Sequence, residues 1–351
     1  MKIAFYIEYP YYFPHFIPIA EAFEKKGHDV QYILSSTQNT ELMLEIAKEN
    51  EINYTFDEAL LFSKEVDYLF FANFLEEIEK VKAKTIFMDH GVGTKHCDYE
   101  SALKQYDIVL VEGEYRYNSL NTDFPSYRAK VKKVGFSKLD MVINFSEAHK
   151  AHYIKKYNID IHKPTILYAP TFFPSSIEKM SDTFPSDFSE CNVIVKPHYL
   201  SLHRGRYKNQ RKKFEKWKKY ENCKVCDVSE YSLVPFLALC DVMISDESSA
   251  IFEFTALDKP VVLNRFLKLR WSYYLNPRKL LNRMDAGIDT YRSIGDNAQS
   301  YEEMLLMTKE NLKNKDKYKN KRAIFTKDLC GDVDGKSSQR IVQVIEDDYA
   351  K

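Results

Sequence analysis

Short apolar, β-rich runs recur along this chain, and several hand over within a few residues to a segment of helical period. Lys2–Tyr9 reads as a buried parallel strand, because its apolar residues run on rather than alternate. Phe16–Lys26 follows with helical spacing and stops at Gly27, and Val30–Leu34 completes a βαβ unit. Thr85–Met88, Ile108–Val111 and Val131–Val134 extend the series. Strands that alternate with helices build a parallel sheet covered on both faces, so the expected class is α/β.

The rhythm breaks once. Residues 144–164 are polar and loosely helical, and they end in Lys163-Pro164. Strand candidates then resume at Thr165–Ala169, Asn192–Lys196, Lys224–Val228, Val242–Ser245 and Pro260–Leu263, and a polar, helical stretch runs on from about Tyr301. The 351 residues, at ~150 per domain, fit two domains. The expectation is two Rossmann-like domains, 1–150 and 151–351, facing a cleft, with room for the last helix to cross back to the first. Parallel sheets bind ligands beyond the C-terminal ends of their strands, so those ends are where chemistry is sought.

Composition narrows the function. Lys plus Arg and Asp plus Glu are 51 each, which argues against a duplex-binding protein that relies on overall positive charge. Only 10 glycines are present, and neither GxGxxG nor GxxxxGK[ST] occurs, so a glycine-rich phosphate loop is not expected. The longest apolar runs fall far short of the ~18–20 residues of a membrane span. Glu8 sits where a signal peptide needs its apolar core, so the expected location is the cytoplasm. Cys223-x-x-Cys226 lacks a second pair at zinc-ribbon spacing and reads as structural.

Four constellations fall at strand ends. Asp89-His90-Gly91-Val92-Gly93-Thr94-Lys95 puts an imidazole at a sheet edge, glycines that leave room for a ligand, and a cation at Lys95. Tyr168-Ala169-Pro170-Thr171 stops a strand and exposes the Thr171 hydroxyl. Lys196-Pro197-His198 sets a cation and an imidazole at a strand exit. In Asp246-Glu247-Ser248-Ser249, two serines open an apolar helix. Its N–H groups either hold a phosphate or are capped by Ser248. Glu253, on the same helix face, either accepts ribose hydroxyls or is solvated.

With these motifs the chain resembles the CDP-glycerol glycerophosphotransferase family of teichoic-acid and capsule enzymes. His90–Lys95 resembles its His-Gly-x-x-x-Lys element, and Gly135-Phe136-Ser137-Lys138-Leu139-Asp140 an altered Gly-Tyr-Pro-Arg-x-Asp. Tyr168–Thr171, Lys196–His198, Asp227–Tyr231, Asp246–Phe254 with Leu257–Pro260, and Asp334–Ile341 follow in family order. Three departures stand out. Phe173 takes the place of an Arg that often follows Tyr-Ala-Pro-Thr and an aromatic, Ser137-Lys138 replaces Pro-Arg, and Glu247 replaces a Tyr. Residues 14–30 also echo the start of many GT-B glycosyltransferases, in which a loop His activates the acceptor; His15 has either that role or a packing one.

The resemblance implies a GT-B-like transferase with a CDP-alditol donor, CDP-glycerol or a relative, and a lipid-linked or polysaccharide acceptor. His90 would be the base. Lys196, His198 and the Ser248–Ser249 helix end would balance phosphate charge, and no metal or other cofactor is implied. A UDP-sugar glycosyltransferase or hydrolysing 2-epimerase on the same fold is the alternative, and a non-catalytic membrane-surface protein a further one. Arg204–Lys219 carries nine basic residues with Phe214 and Trp217. It reads either as a solvated face or as a contact with the inner face of the cell membrane, with the two aromatics as anchors.

Overall fold

The computed structural model describes residues 1–37, 39–92, 99–269 and 288–351. Contacts divide the chain into two units. The first comprises Met1–Asn144 with Lys327–Lys351, and the second Phe145–Thr326.

The first unit holds a seven-stranded sheet, formed by β1 (Lys2–Ile7), β2 (Asp29–Leu34), β3 (Tyr54–Thr55), β4 (Tyr68–Phe71), β5 (Lys84–Met88), β6 (Ile108–Val111) and β7 (Val131–Lys133). Its order is β3-β2-β1-β4-β5-β6-β7, with every pairing parallel. The apolar runs are continuous because helices cover both faces. Tyr68–Phe71, which the sequence reading passed over, lies between β1 and β5 and is buried throughout. The first strand stops at Ile7, which leaves Glu8 at its exit. The first helix spans Phe13–Lys25 rather than starting at Phe16, because Pro14 is tolerated in a first turn, where its missing N–H costs no bond.

The second unit holds β8 (Thr165–Ala169), β9 (Asn192–Val195), β10 (Cys223–Val225), β11 (Val242–Ser245), β12 (Val261–Asn264) and β13 (Asp296–Ala298). The order is β10-β9-β8-β11-β12-β13, again all parallel. The fold class is α/β with two Rossmann-like sheets. In each, parallel pairing brings the strand exits to one edge.

Residues 327–351 belong to the first unit through specific bonds. Asp140 accepts from the Ser337 and Ser338 backbone N–H groups at 3.0 and 2.7 Å and from the Ser338 hydroxyl at 2.7 Å, and so caps the helix Ser337–Tyr349. Gly135 has φ +90°, and a Cβ there would meet Ser337 Oγ at 2.4 Å. The two family-like elements 135–140 and 334–341 therefore form one joint.

The helix Lys208–Trp217 corrects one expectation. Phe214 and Trp217 are 2% and 0% exposed in the core of the second unit, and the Trp217 indole N–H donates to the Ser181 carbonyl at 2.9 Å. They are three apart because they form the inward stripe of an amphipathic helix. Aromatic anchors for a membrane they are not. Lys213 and Lys216 bond Asp182, while Lys208, Lys212 and Lys219 lie exposed.

Candidate functional site

In the first unit, the exits of β1, β4, β5 and β6 present Glu8, Ala72-Asn73, Asp89-His90 and Glu112. His90 Nδ1 lies 3.1 Å from the Ala72 carbonyl oxygen and 3.3 Å from Asp89 Oδ1. Both are acceptors, so Nδ1 carries the proton and Nε2 keeps its lone pair. The His90 side chain is 41% exposed, and the rings of Tyr11 and Tyr12 lie 5.8 and 5.1 Å from its own.

Behind His90 lies a buried network. Asp89 is 3.9 Å from Arg116, whose guanidinium donates to both Glu112 oxygens at 2.8 Å and to the Tyr99 hydroxyl at 2.5 Å. Burial pushes the Glu112 carboxyl up to about 7, opposed chiefly by Arg116. Burial also raises Glu8. Glu112 and Arg116 were not singled out from sequence; Glu112 directly follows β6, and Arg116 lies one turn on, in the helix Glu114–Asp123. Lys95 lies outside the described residues.

His15 belongs to a helix, not a loop, and is 2% exposed with its ring 5.3 Å from that of Phe136. Burial first, then the charges of Lys138 and His90, hold its imidazole well below the usual range and therefore neutral. It packs. An acceptor-activating imidazole at the surface is not what His15 supplies.

In the second unit, the β8 exit is tied to the β11 exit by Asp246, which is fully buried. It accepts from the Thr171 N–H at 3.1 Å, the Ser175 hydroxyl at 2.9 Å, and the Ser176 N–H and hydroxyl at 3.2 and 2.5 Å. Burial nevertheless pushes its carboxyl up to about 7. In the Asp-x-Ser-Ser element the aspartate thus sets the shape of the loop carrying Thr171.

At the β9 exit, Lys196 is half-buried, and His198 Nδ1 accepts from the Leu200 N–H at 3.1 Å, capping a short helix Tyr199–His203. That bond leaves the proton of a neutral His198 on Nε2, a donor. The two candidate imidazoles therefore have opposite tautomers: Nε2 of His90 accepts and Nε2 of His198 donates. The Phe172 ring lies 4.7 Å from that of His198.

Ser248 and Ser249 are half-buried ahead of the helix Ala250–Thr255, and Ser248 Oγ accepts from the Ala250 N–H at 3.3 Å. The N-cap residue is Ser249, whose side chain makes no capping bond, so Ser248 meets the first helical N–H from one position earlier. Glu253 is 2% exposed, so the solvated alternative does not hold for it. Glu247, which replaces the family tyrosine, bonds two arginines the sequence reading missed. It pairs with Arg265 at the β12 exit, and with Arg292 Nη2 and Nε at 2.5 and 3.1 Å. Cys223 and Cys226 are buried, and burial pushes both thiols up to about 12, in keeping with a structural role.

The sequence model described as CDP-Glycerol:Poly(glycerophosphate) glycerophosphotransferase matches residues 14–347. A teichoic acid glycerol-phosphate transferase of Staphylococcus aureus is 23% identical over 287 residues, 72% of this chain and 65% of the relative. A teichoic acid glycerol-phosphate primase of Bacillus subtilis is 27% identical over 254 residues, 71% of this chain and 59% of the relative. The aligned part thus spans less than two thirds of either relative's length. Among solved structures, the wall teichoic acid polymerase TagF superposes with a TM-score of 0.70 at 18% identity, covering 99% of this chain and 88% of that one. The S. aureus MnaA–UDP co-structure superposes at 0.66 with 12% identity, covering 99% and 97%. These likenesses show the GT-B-like fold.

Proposed function

The chain belongs to the CDP-glycerol:poly(glycerophosphate) glycerophosphotransferase family, and from that premise we propose that it transfers an alditol phosphate from a CDP-linked donor to an acceptor hydroxyl. The donor class is CDP-glycerol or another CDP-alditol, and the acceptor a lipid-linked or polysaccharide glycan of the teichoic-acid or capsule type. The observation that carries the reading is that each unit has an imidazole at a strand exit, with an accepting Nε2 on His90 and a donating Nε2 on His198.

The roles divide between the units, Met1–Asn144 with Lys327–Lys351 for the acceptor and Phe145–Thr326 for the donor. His90 Nε2 takes the proton of the acceptor hydroxyl, whose oxygen forms a bond to the donor's β-phosphorus. The bond from that phosphorus to the bridging oxygen breaks, and CMP leaves with the electron pair. The Ala72 carbonyl and Asp89 fix the tautomer and stabilise the imidazolium that forms. On the donor side, Lys196 and the His198 Nε2–H offset phosphate charge, with Thr171, Ser248 and Ser249 as further donors. Glu253 accepts from the ribose, and Lys95 adds positive charge toward the donor phosphates.

The protein is proposed to work in the cytoplasm against the inner face of the membrane, held by charge alone. Among the described residues no helix is long and apolar enough to cross a membrane. The exposed Lys208, Lys212 and Lys219 supply the basic face, at ~1 kcal/mol for each residue near an anionic surface.

The test is a thermal-shift panel of nucleotides followed by assay of CMP release. A ligand at 100-fold its Kd adds about 2.7 kcal/mol, so CDP and CDP-glycerol are expected to raise Tm clearly. Stabilisation by UDP and not by CDP would overturn the donor and favour the sugar-nucleotide alternative.

A further inference from the structure

The cation that often follows Tyr-Ala-Pro-Thr and an aromatic is missing here, since the residue is Phe173. Strand register shows where charge reappears. Ala169, Ser245 and Leu263 pair across β8, β11 and β12, on strands ~4.8 Å apart. Two residues beyond that level in each chain segment come Thr171, Glu247 and Arg265; the Thr171 N–H bonds Asp246, which precedes Glu247, and Glu247 pairs with Arg265. Arg265 forms an ion pair with the same Glu247 oxygen that accepts hydrogen bonds from Arg292. The side chains of Glu247, Arg265 and Arg292 are 11%, 17% and 22% exposed, so the group is partly shielded and still open to a ligand.

The three side chains carry two positive charges and one negative charge, and Glu247 adjoins Ser248 in the chain. Arginine recognises phosphate with paired N–H donors in a fixed plane. Burial, then repulsion from Arg292, lowers Arg265 to about 10, which leaves it charged at neutral pH. We propose that Arg265 and Arg292 form the contact to the donor's terminal phosphate, and that Glu247 is a positioning residue that aligns them and limits their hold on anions. This rests on the donor half of the proposed function. It also explains the replacement of the family tyrosine by a carboxylate: Glu247 does not oppose the pyrophosphate but orders the two cations that bind it.

The experiment is calorimetry with CDP, CMP and inorganic pyrophosphate on the wild type, Arg265→Gln, Arg292→Gln, Arg265→Lys and Glu247→Gln. Loss of a charged hydrogen bond of ~1.5–3 kcal/mol corresponds to roughly 10- to 100-fold. Arg265→Gln and Arg292→Gln should weaken CDP and pyrophosphate by that factor and CMP by less than threefold. Arg265→Lys should lie between, while Glu247→Gln should tighten pyrophosphate and raise the retention of anionic product. The proposal is overturned if pyrophosphate does not bind the wild type, if CDP binds all proteins alike, or if CMP and CDP weaken equally. It is also overturned if Glu247→Gln weakens pyrophosphate as much as Arg265→Gln, which marks a brace and not a ligand site. If UDP binds in place of CDP, the donor assignment fails, and the same comparison with UDP and UMP still decides the arginines.

Discussion

His90 Nδ1 and the Ala72 carbonyl oxygen lie 3.1 Å apart, 18 residues distant in the chain. The contact exists because β4 is inserted between β1 and β5, which sets the β4 exit beside the β5 exit. It decides which ring nitrogen of His90 can accept a proton.

Replacing His90 by Ala should lower kcat by roughly 10²- to 10⁴-fold, the usual loss for a positioned base, with donor affinity little changed. His198→Ala should lower kcat and donor affinity together. CMP release and calorimetry with CDP-glycerol separate the two. Full turnover by His90→Ala would remove it as the base.

Asp246 gives the folded protein a pH dependence of defined sign. Its carboxyl is pushed up from 3.8 to about 7 by burial. Below about pH 4 both folded and unfolded states hold this proton, between about 4 and 7 only the folded state does, and above about 7 neither does. Unfolding thus releases a proton in that window, and this group's contribution to stability falls as pH rises through it, by a few kcal/mol at ~1.4 kcal/mol per unit. Scanning calorimetry from pH 4.5 to 7.5 should show the Tm of Asp246→Asn changing relative to wild type in the direction that favours the variant at higher pH. A constant difference would assign Asp246 an unshifted carboxyl.

Ser248 and Ser249, replaced together by Ala, should weaken CDP by a few kcal/mol at most, because backbone N–H groups remain. Glu253→Gln should weaken ribose-bearing nucleotides and spare inorganic pyrophosphate. Equal affinities in all three proteins would locate the nucleotide elsewhere.

Membrane binding and folding should separate cleanly along the helix Lys208–Trp217. Changing Lys208, Lys212 and Lys219 to Gln should release the protein from phosphatidylglycerol vesicles at low salt and leave urea unfolding nearly unchanged. Trp217→Ala should cost ~3–5 kcal/mol of stability, as expected for an emptied core site. Vesicle binding that survives both the lysine changes and high salt would discard the charge-only attachment.

The joint between Asp140 and the helix Ser337–Tyr349 should loosen in Asp140→Ala, at ~1–3 kcal/mol for lost capping and buried donors. Hydrogen exchange should then speed up across 337–349. Unaltered protection there would mean that packing, not the cap, holds the helix.

The order of residues alone determined the α/β class, most strands to within a residue or two, and the strand exits at which His90, Thr171, Lys196, His198 and Ser248 stand. These are local properties: a continuous apolar run is a buried parallel strand wherever it pairs, and its next residues lie at an edge. Only the tertiary structure decided which exits are neighbours and which faces are covered. Sheet order put Ala72 against His90 and Arg265 against Glu247, and chain folding over 198 residues brought Asp140 to Ser338. Burial likewise turned Trp217 and His15 from surface candidates into core. Helical spacing tells that two side chains share a face, but solvent and protein can both satisfy that face, and the choice is made by whatever else the fold brings against it.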